Sequence, residues 1–388
     1  MFIKTIRSSA IKNGALLSAA IALGAALLIW PQAAATGVSR GLSICSGVII
    51  PSLFPFLVLA GFLVRSGISA AIGRRLEGIT RALFGLPGCC AAGILLSLVG
   101  GYPAGGAAVG ELLRQGSITR GEGRRMLRFC VNAGPAFVIS AVGAGMLGSV
   151  RAGVVLFAAH VAASLLLGIG AHLLDRNRPS QPDKVAKNPT ARPLPATAAF
   201  VEAVNGACRS LLIMCGFVVL FAAVLSLADV SGVQQGFQWL VSLPLFGLES
   251  DTKALHCIFP CLLEVSCGCV EAARSGAAAP LLLGMAMGWG GLSVHCQLAA
   301  LLHEWKVMGK GFFAARLLHA LLAALLTVLL FRIVPMPLEV FRPINGATVE
   351  PFSISAVASV ALLSACAMLL LTTRHAGKKA LDSDGDLC

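Results

Sequence analysis

Gly100-Gly101-Tyr102-Pro103-Ala104-Gly105-Gly106, set between the apolar runs Cys89 to Val99 and Ala107 to Leu113, decides the fold. A cluster of glycine and proline cannot continue a helix, and in lipid a broken backbone survives only where protein or a polar cavity satisfies its amides. Function is therefore sought here first. Tyr102 is the only tyrosine in the 388 residues.

The surroundings of this stretch are those of a membrane protein. Hydrophobic residues make up 57% of the chain and charged residues 12%, about half the charged share of a soluble domain. Apolar runs of roughly 20 residues recur, long enough as helices to cross a hydrocarbon core. Their continuity excludes the alternating pattern of an outer-membrane barrel. The net charge of +13 comes from Lys and Arg in short loops, which is the bias of cytoplasmic loops rather than a nucleic-acid surface. Most of the thirteen cysteines lie in apolar runs, where Cys packs as a small hydrophobe. The pairs Cys257/Cys261 and Cys267/Cys269 are weak metal or redox candidates, with no His/Cys set at zinc spacing to complete them.

Working outward, Arg65, Arg74, Arg75 and Arg81 precede the Gly/Pro stretch and Arg114, Arg120, Arg124, Arg125 and Arg128 follow it. Leu86 to Leu113 thus starts and ends on one side, and it is too short for two crossings. The reading is a re-entrant hairpin that enters from the cytoplasm with Gly100 to Gly106 at its tip. Thr119 and Glu122 stand at capping-box spacing. Asn132-Ala133-Gly134-Pro135 interrupts a span near Phe129 to Leu147, and a plain span follows at about Gly153 to Leu174.

Before the hairpin, a basic flank and the run Gly14 to Trp30 make a first helix. It reads as an uncleaved span, although its layout also fits a signal peptide. Thr36 to Ser43 is expected outside. A second span, about Ile44 to Val64, carries Pro51 and Pro55, which should bend or unwind it.

Asp175 to Ala198 holds five prolines and mixed charges, as a cytoplasmic linker does. Beyond it come a span at Cys208 to Leu227, an interfacial segment at Phe237 to Leu248 and a broken segment at Cys257 to Glu271. A span at Ala279 to Leu302 contains Gly288-Trp289-Gly290-Gly291, and further spans lie at Gly311 to Phe331 and Ser353 to Thr373. Both halves read span, hairpin, glycine-interrupted span, plain span, and Phe157-Ala158-Ala159-His160 echoes Phe313-Ala314-Ala315-Arg316. The fold expected is an all-α polytopic membrane protein of two inverted-topology repeats, each with a re-entrant helical hairpin and broken helices, the architecture of secondary transporters. Its parts are an N-terminal transmembrane helix (1–42), a first repeat (43–174), a cytoplasmic linker (175–199), a second repeat (200–333), and a C-terminal helix with a cytoplasmic tail (334–388).

A half-helix N-terminus holds a carboxylate without placing a cationic side chain in lipid. Gly101, Tyr102, Pro103, Asn132, Gly134, Pro135, Gly290, Gly291 and Ser293 are the candidate substrate contacts, with Gln297 able to add a hydrogen bond. The competing reading is that the glycines only let helices pack closely. Glu264 is the sharpest ionisable residue, a candidate coupling-ion or proton site, against the alternative of a carboxylate facing a water-filled vestibule. His295 is the better placed of four membrane histidines, alongside His160, His303 and His319.

Pro51-Ser52-Leu53-Phe54-Pro55-Phe56, Gly101-Tyr102-Pro103-Ala104-Gly105, Asn132-Ala133-Gly134-Pro135 and Gly143 to Gly148 resemble YlbJ-like sporulation integral membrane proteins, of the nucleoside-recognition or Gate domain superfamily. The resemblance covers roughly 43–331, more loosely in the second half. It implies a multipass protein of endospore formation that moves dipicolinate, a flat aromatic dianion, across the outer forespore membrane. The expected partners are a small anionic substrate and the lipid bilayer of a bacterial cell or forespore membrane, with both termini cytoplasmic and no nucleic acid. A homo-oligomer is left open. No cofactor, resident metal or enzymatic activity is expected, since HExxH and paired membrane aspartates are absent and no nucleophile elbow is read. A nucleoside or metabolite carrier and a non-transporting spore-membrane assembly factor are the alternatives.

Overall fold

A computed structural model describes residues 2–175, 194–242 and 252–334. Residues 176–193 of the linker, 243–248 of the interfacial segment with 249–251 after it, and the expected span at Ser353 to Thr373 lie outside the described residues. Helices account for nearly all the rest: α1 Phe2–Ile29, α2 Pro31–Ile44, α3 Ile50–Arg65, α4 Ile68–Phe84, α5 Cys90–Arg114, α6 Arg120–Leu127, α7 Val150–Asp175, α8 Ala196–Val230, α9 Val233–Val241, α10 Thr252–Leu263, α11 Val265–Ala273, α12 Ala279–Trp289, α13 Gly291–Leu302 and α14 Lys310–Ile333. A π-helical turn, Cys45–Ile49, joins α2 to α3, and a π-helix, Ala136–Met146, precedes α7. Among the described residues there is no strand.

Among the described residues, five helical stretches are long and apolar enough to cross a membrane, α5 among them. The packing within α5 shows that it folds back instead. Gly101, at φ 81° and ψ −172°, breaks the helix. A Cβ at Gly93 lies 3.3 Å from that of Ala108, and a Cβ at Gly105 lies 2.9 Å from that of Ser97. In a straight helix, residues 93 and 108 stand about 22 Å apart. Cys89 and Ser117 close the mouth, Sγ to O at 3.7 Å. The expected hairpin is present, with a sharper tip: Gly101 turns the chain, Pro103 starts the return arm, and Gly105 and Gly106 are packing positions against Cys130 and Leu298. The double variant Gly93→Cys/Ala108→Cys should therefore cross-link under mild oxidation in an otherwise cysteine-free chain, because the Cβ separation is close to disulfide range. A gel-shift assay after protease cleavage inside the hairpin reads the result, and an uncross-linked product rules out the fold-back.

The second hairpin is built the same way around Glu264. α10 and α11 run antiparallel from it, with Gly268 against Cys261 (Cβ to Cα 2.6 Å).

Contacts at the two ends of the bundle give the direction of each element. At one end Asp175, closing α7, pairs with Arg128 at 2.7 Å, and Gly85, closing α4, accepts from Arg125 at 2.8 Å. Gly73 near the start of α4 rests on Gly88 at the first hairpin's mouth, and Gly311 at the start of α14 lies beside Arg128. Leu194, just before α8, donates to Arg65 O at the end of α3 at 3.0 Å. At the opposite end Ser226 of α8 donates to Ala33 O of α2 at 2.7 Å, and His256 of α10 meets Gln238 of α9 at 2.6 Å. So α2–α3 and α7 run toward the Arg-rich end, whereas α8 and α14 run away from it. The first hairpin opens at the Arg-rich end and the second at the other. The halves are inverted, as the sequence reading expects.

Two elements depart from that reading. Thr36 to Ser43 is not an external connection: it is part of α2, which bends 99° from α1 and continues through the π-turn into α3. Its small residues, which look like loop in the sequence, let α2 lie against α8, with a Cβ at Gly37 only 2.6 Å from Ala223 Cα. The widened turn lies just before Pro51, where the Ile50 amide reaches back to Cys45 O, and the helix continues through Pro55. Second, Phe129 to Leu147 is not one interrupted helix. Residues 131–134 are not helical and only Ala136–Met146 coils, as a half-length π-helix. Thr119 and Glu122 form the expected capping box on α6. Replacing Thr119 by Ala should lower thermal stability by about 1 kcal/mol, measured by heat denaturation in detergent.

Candidate functional site

Each hairpin tip meets the break in the following span of its own repeat. In the first half a Cβ at Gly134 lies 3.0 Å from Gly101 N and 3.0 Å from Val99 O. In the second half a Cβ at Gly291 lies 2.9 Å from Val265 N and 3.1 Å from Glu264 Cα. Tyr102 joins the halves: its hydroxyl donates to Met287 O, at the end of α12, at 2.6 Å, and its ring lies 3.5 Å from a Cβ placed on Gly290. Gly101, Tyr102, Gly134, Glu264, Gly290 and Gly291 are thus one cluster between two opposed hairpins.

The second tip is polarised. Glu264 is 1% exposed, so no water-filled vestibule reaches it in this arrangement. Its carboxylate accepts from Cys267 N at 2.7 Å and caps α11. Gly291, which begins α13, packs against the Glu264 backbone.

The remaining candidates surround this cluster. Asn132 is fully buried; its Nδ2 donates to Phe129 O at 2.9 Å and to Ser97 Oγ at 3.3 Å. Asn132 Oδ1 and Ser293 Oγ are buried without partners. Pro135 starts the π-helix. Pro103, Gln297 and Tyr102 line a cavity of about 40 Å³ with Ser210 and Met214 of α8 and Val294 of α13. That space has the volume of a few waters. His295 packs among aromatic rings: Trp289, Phe312 and Phe313 surround its ring at 4.4, 5.5 and 5.5 Å, and its Nε2 faces Trp289 O at 3.1 Å. Among the described residues, no three His, Cys, Asp or Glu side chains gather where they could hold a metal ion.

With this geometry in place, the chain can be compared with known proteins. It is 28% identical over 335 residues, 80% of either chain, to the sporulation integral membrane protein YlbJ of Bacillus subtilis (strain 168). The chain is YlbJ-like over four-fifths of its length. No protein-family model matches it, and no solved structure does. The apolar helices are those of an integral membrane protein, as the printed name of that relative also has it.

In this YlbJ-like chain the sequence reading missed one residue of the site region, Arg316. It is fully buried in α14. One guanidinium nitrogen donates to Val131 O and the other to Arg128 O, the latter at 2.6 Å, so Arg316 holds the non-helical break of the first half. His160, its counterpart in the Phe-Ala-Ala match, accepts from Ala133 N at 3.0 Å in that same break. The repeat match was the available signal. Arg316 was overlooked because Lys306 and Lys310 just before it make it look like one more flanking charge.

Proposed function

We propose that the chain is a secondary transporter or facilitator for a small organic anion, and we assign dipicolinate in endospore formation as that anion. The observation that carries this reading is the meeting of two oppositely entering hairpin tips, Gly101 and Glu264, with two backbone breaks, Gly134 and Gly291. Opposed hairpins around a buried polar centre suit alternating access, in which one hairpin moves while the other closes the site. Free amides at the start of α13 suit carboxylates, and Tyr102 offers a stacking face to a flat ring. The printed name of the Bacillus relative, a sporulation integral membrane protein, agrees with the process we assign. The Arg-rich end, with Arg75, Arg81, Arg120 and Arg124, is assigned to the cytoplasm by its charge, and the membrane to the bacterial cell or outer forespore membrane. Transport without covalent chemistry is the whole of the activity proposed.

The test is uptake by proteoliposomes. Radiolabelled dipicolinate should accumulate well above empty vesicles, and uridine should not. No dipicolinate signal sinks the assignment. Uridine uptake in its place makes the chain a nucleoside carrier.

A further inference from the structure

Where α7 crosses α14, the rings of His160 and His319 lie 4.6 Å apart, and Arg316 sits one turn before His319 on the same face of α14. All three are at most 1% exposed. Three of their nitrogens have no partner: Arg316 Nε, His160 Nδ1 and His319 Nδ1. The Ala133 amide donates to His160 Nε2, which puts the proton of neutral His160 on Nδ1, as a buried donor with nothing to bond. Among the described residues, no carboxylate lies within 4.0 Å of Arg316. Its charge lies within electrostatic reach of Tyr102 and His295.

We propose that Arg316, with the Nδ1–H of His160, is the cationic contact for a carboxylate of the carried anion. This rests on the anion-carrier reading above. In the arrangement described here, the carbonyls of Arg128 and Val131 occupy the guanidinium where carboxylate oxygens would go. Burying an arginine among apolar helices is unfavourable, and hydrogen bonds to a charged group offset much of that cost. Two carbonyls therefore hold the empty site together. They do not neutralise a full charge, and a bidentate carboxylate in a low-dielectric interior does. A site that is stable when empty and attractive to an anion is what a carrier needs. If Arg316 only fastens the break, its removal changes stability and leaves anion binding alone.

The experiment is thermal unfolding of the purified full chain in detergent, titrated with pyridine-2,6-dicarboxylate, pyridine-2-carboxylate and the neutral 2,6-pyridinedimethanol. The dicarboxylate should stabilise the unchanged chain most, the monocarboxylate less, and the diol not at all. Arg316→Gln should abolish the carboxylate-dependent shift. Arg316→Lys keeps the charge but not the fork, so it should keep the shift with a Kd raised at least fivefold. A folded Arg316→Gln that binds dicarboxylate within twofold of the unchanged chain overturns this proposal and spares the carrier reading. If the Gln variant does not fold, an unchanged Kd in Arg316→Lys overturns it equally. An unchanged chain that no carboxylate stabilises overturns both.

Discussion

Replacing Gly291 by Ala should reduce uptake more than tenfold and destabilise the chain by about 2–6 kcal/mol, the sum of two separate penalties. Gly291 sits at φ 76°, a left-handed conformation that an L-residue adopts at a cost of about 1–3 kcal/mol. A Cβ there also lies 2.9 Å from Val265 N and 3.1 Å from both Glu264 Cα and Leu263 O. All three are backbone atoms of the second tip, so no rotamer relieves the overlap and the hairpin must shift, at roughly a further 1–3 kcal/mol.

Two companion variants separate the penalties. Gly276 has φ 65° and nothing within 4 Å of its Cβ direction, so Gly276→Ala carries strain alone and should leave uptake intact. Gly101→Ala meets only ordinary contacts, the nearest being Gly134 N at 3.4 Å. Its φ of 81° with ψ of −172° is a region essentially reserved for glycine. The peptide must therefore reorient, which carries the Tyr102 hydroxyl away from Met287 O. Heat denaturation and proteoliposome uptake should rank Gly276→Ala mildest and Gly291→Ala most severe. If Gly291→Ala behaves like Gly276→Ala, the tip-to-break contact is not what sets the site.

The sequence made the hairpins legible because a break in an apolar run and the arginines on either side of it are local signals. Gly101 and the Arg-rich flanks specify a fold-back and a side of entry without reference to anything distant. The second tip was legible for a similar reason, since one carboxylate in an apolar stretch marks Glu264. Inversion followed from comparing the two series of elements, and the contacts at the two ends of the bundle agree with it. What stayed hidden depends on partners far away in the chain. Small residues at Gly37 and Gly41 read equally well as loop or as helix until Ala222, Ala223 and Val219 of α8 are placed against them. Arg316 reads as a flanking charge until the carbonyls of Arg128 and Val131, 188 and 185 residues away, are seen to occupy it. His295 is a candidate in the sequence by its proximity to Ser293. Its place among Trp289, Phe312 and Phe313 comes from the crossing of α13 and α14, which no local pattern encodes.

Glu264→Gln should abolish uphill accumulation while leaving insertion, unfolding temperature and exchange nearly unchanged. The carboxylate has two jobs to distinguish. As a cap on α11 it accepts from Cys267 N, and removing a cap costs roughly 0.5–2 kcal/mol. As a buried ionisable group at the second tip, it can bind a coupling cation or carry a proton. Glutamine has the same length and still presents one oxygen to Cys267, so the cap is largely preserved while the charge is gone. Alanine loses both. A coupling residue therefore predicts that Gln and Ala are equally unable to drive accumulation against a gradient, although only Ala is destabilised. Counterflow, which needs binding and reorientation but no net coupled ion, should persist in the Gln variant. If Glu264→Gln accumulates dipicolinate as the unchanged chain does, Glu264 is a cap and the driving ion is bound elsewhere. If counterflow disappears together with accumulation, the carboxylate belongs to the substrate site itself, beside Gly291 and the first turn of α13.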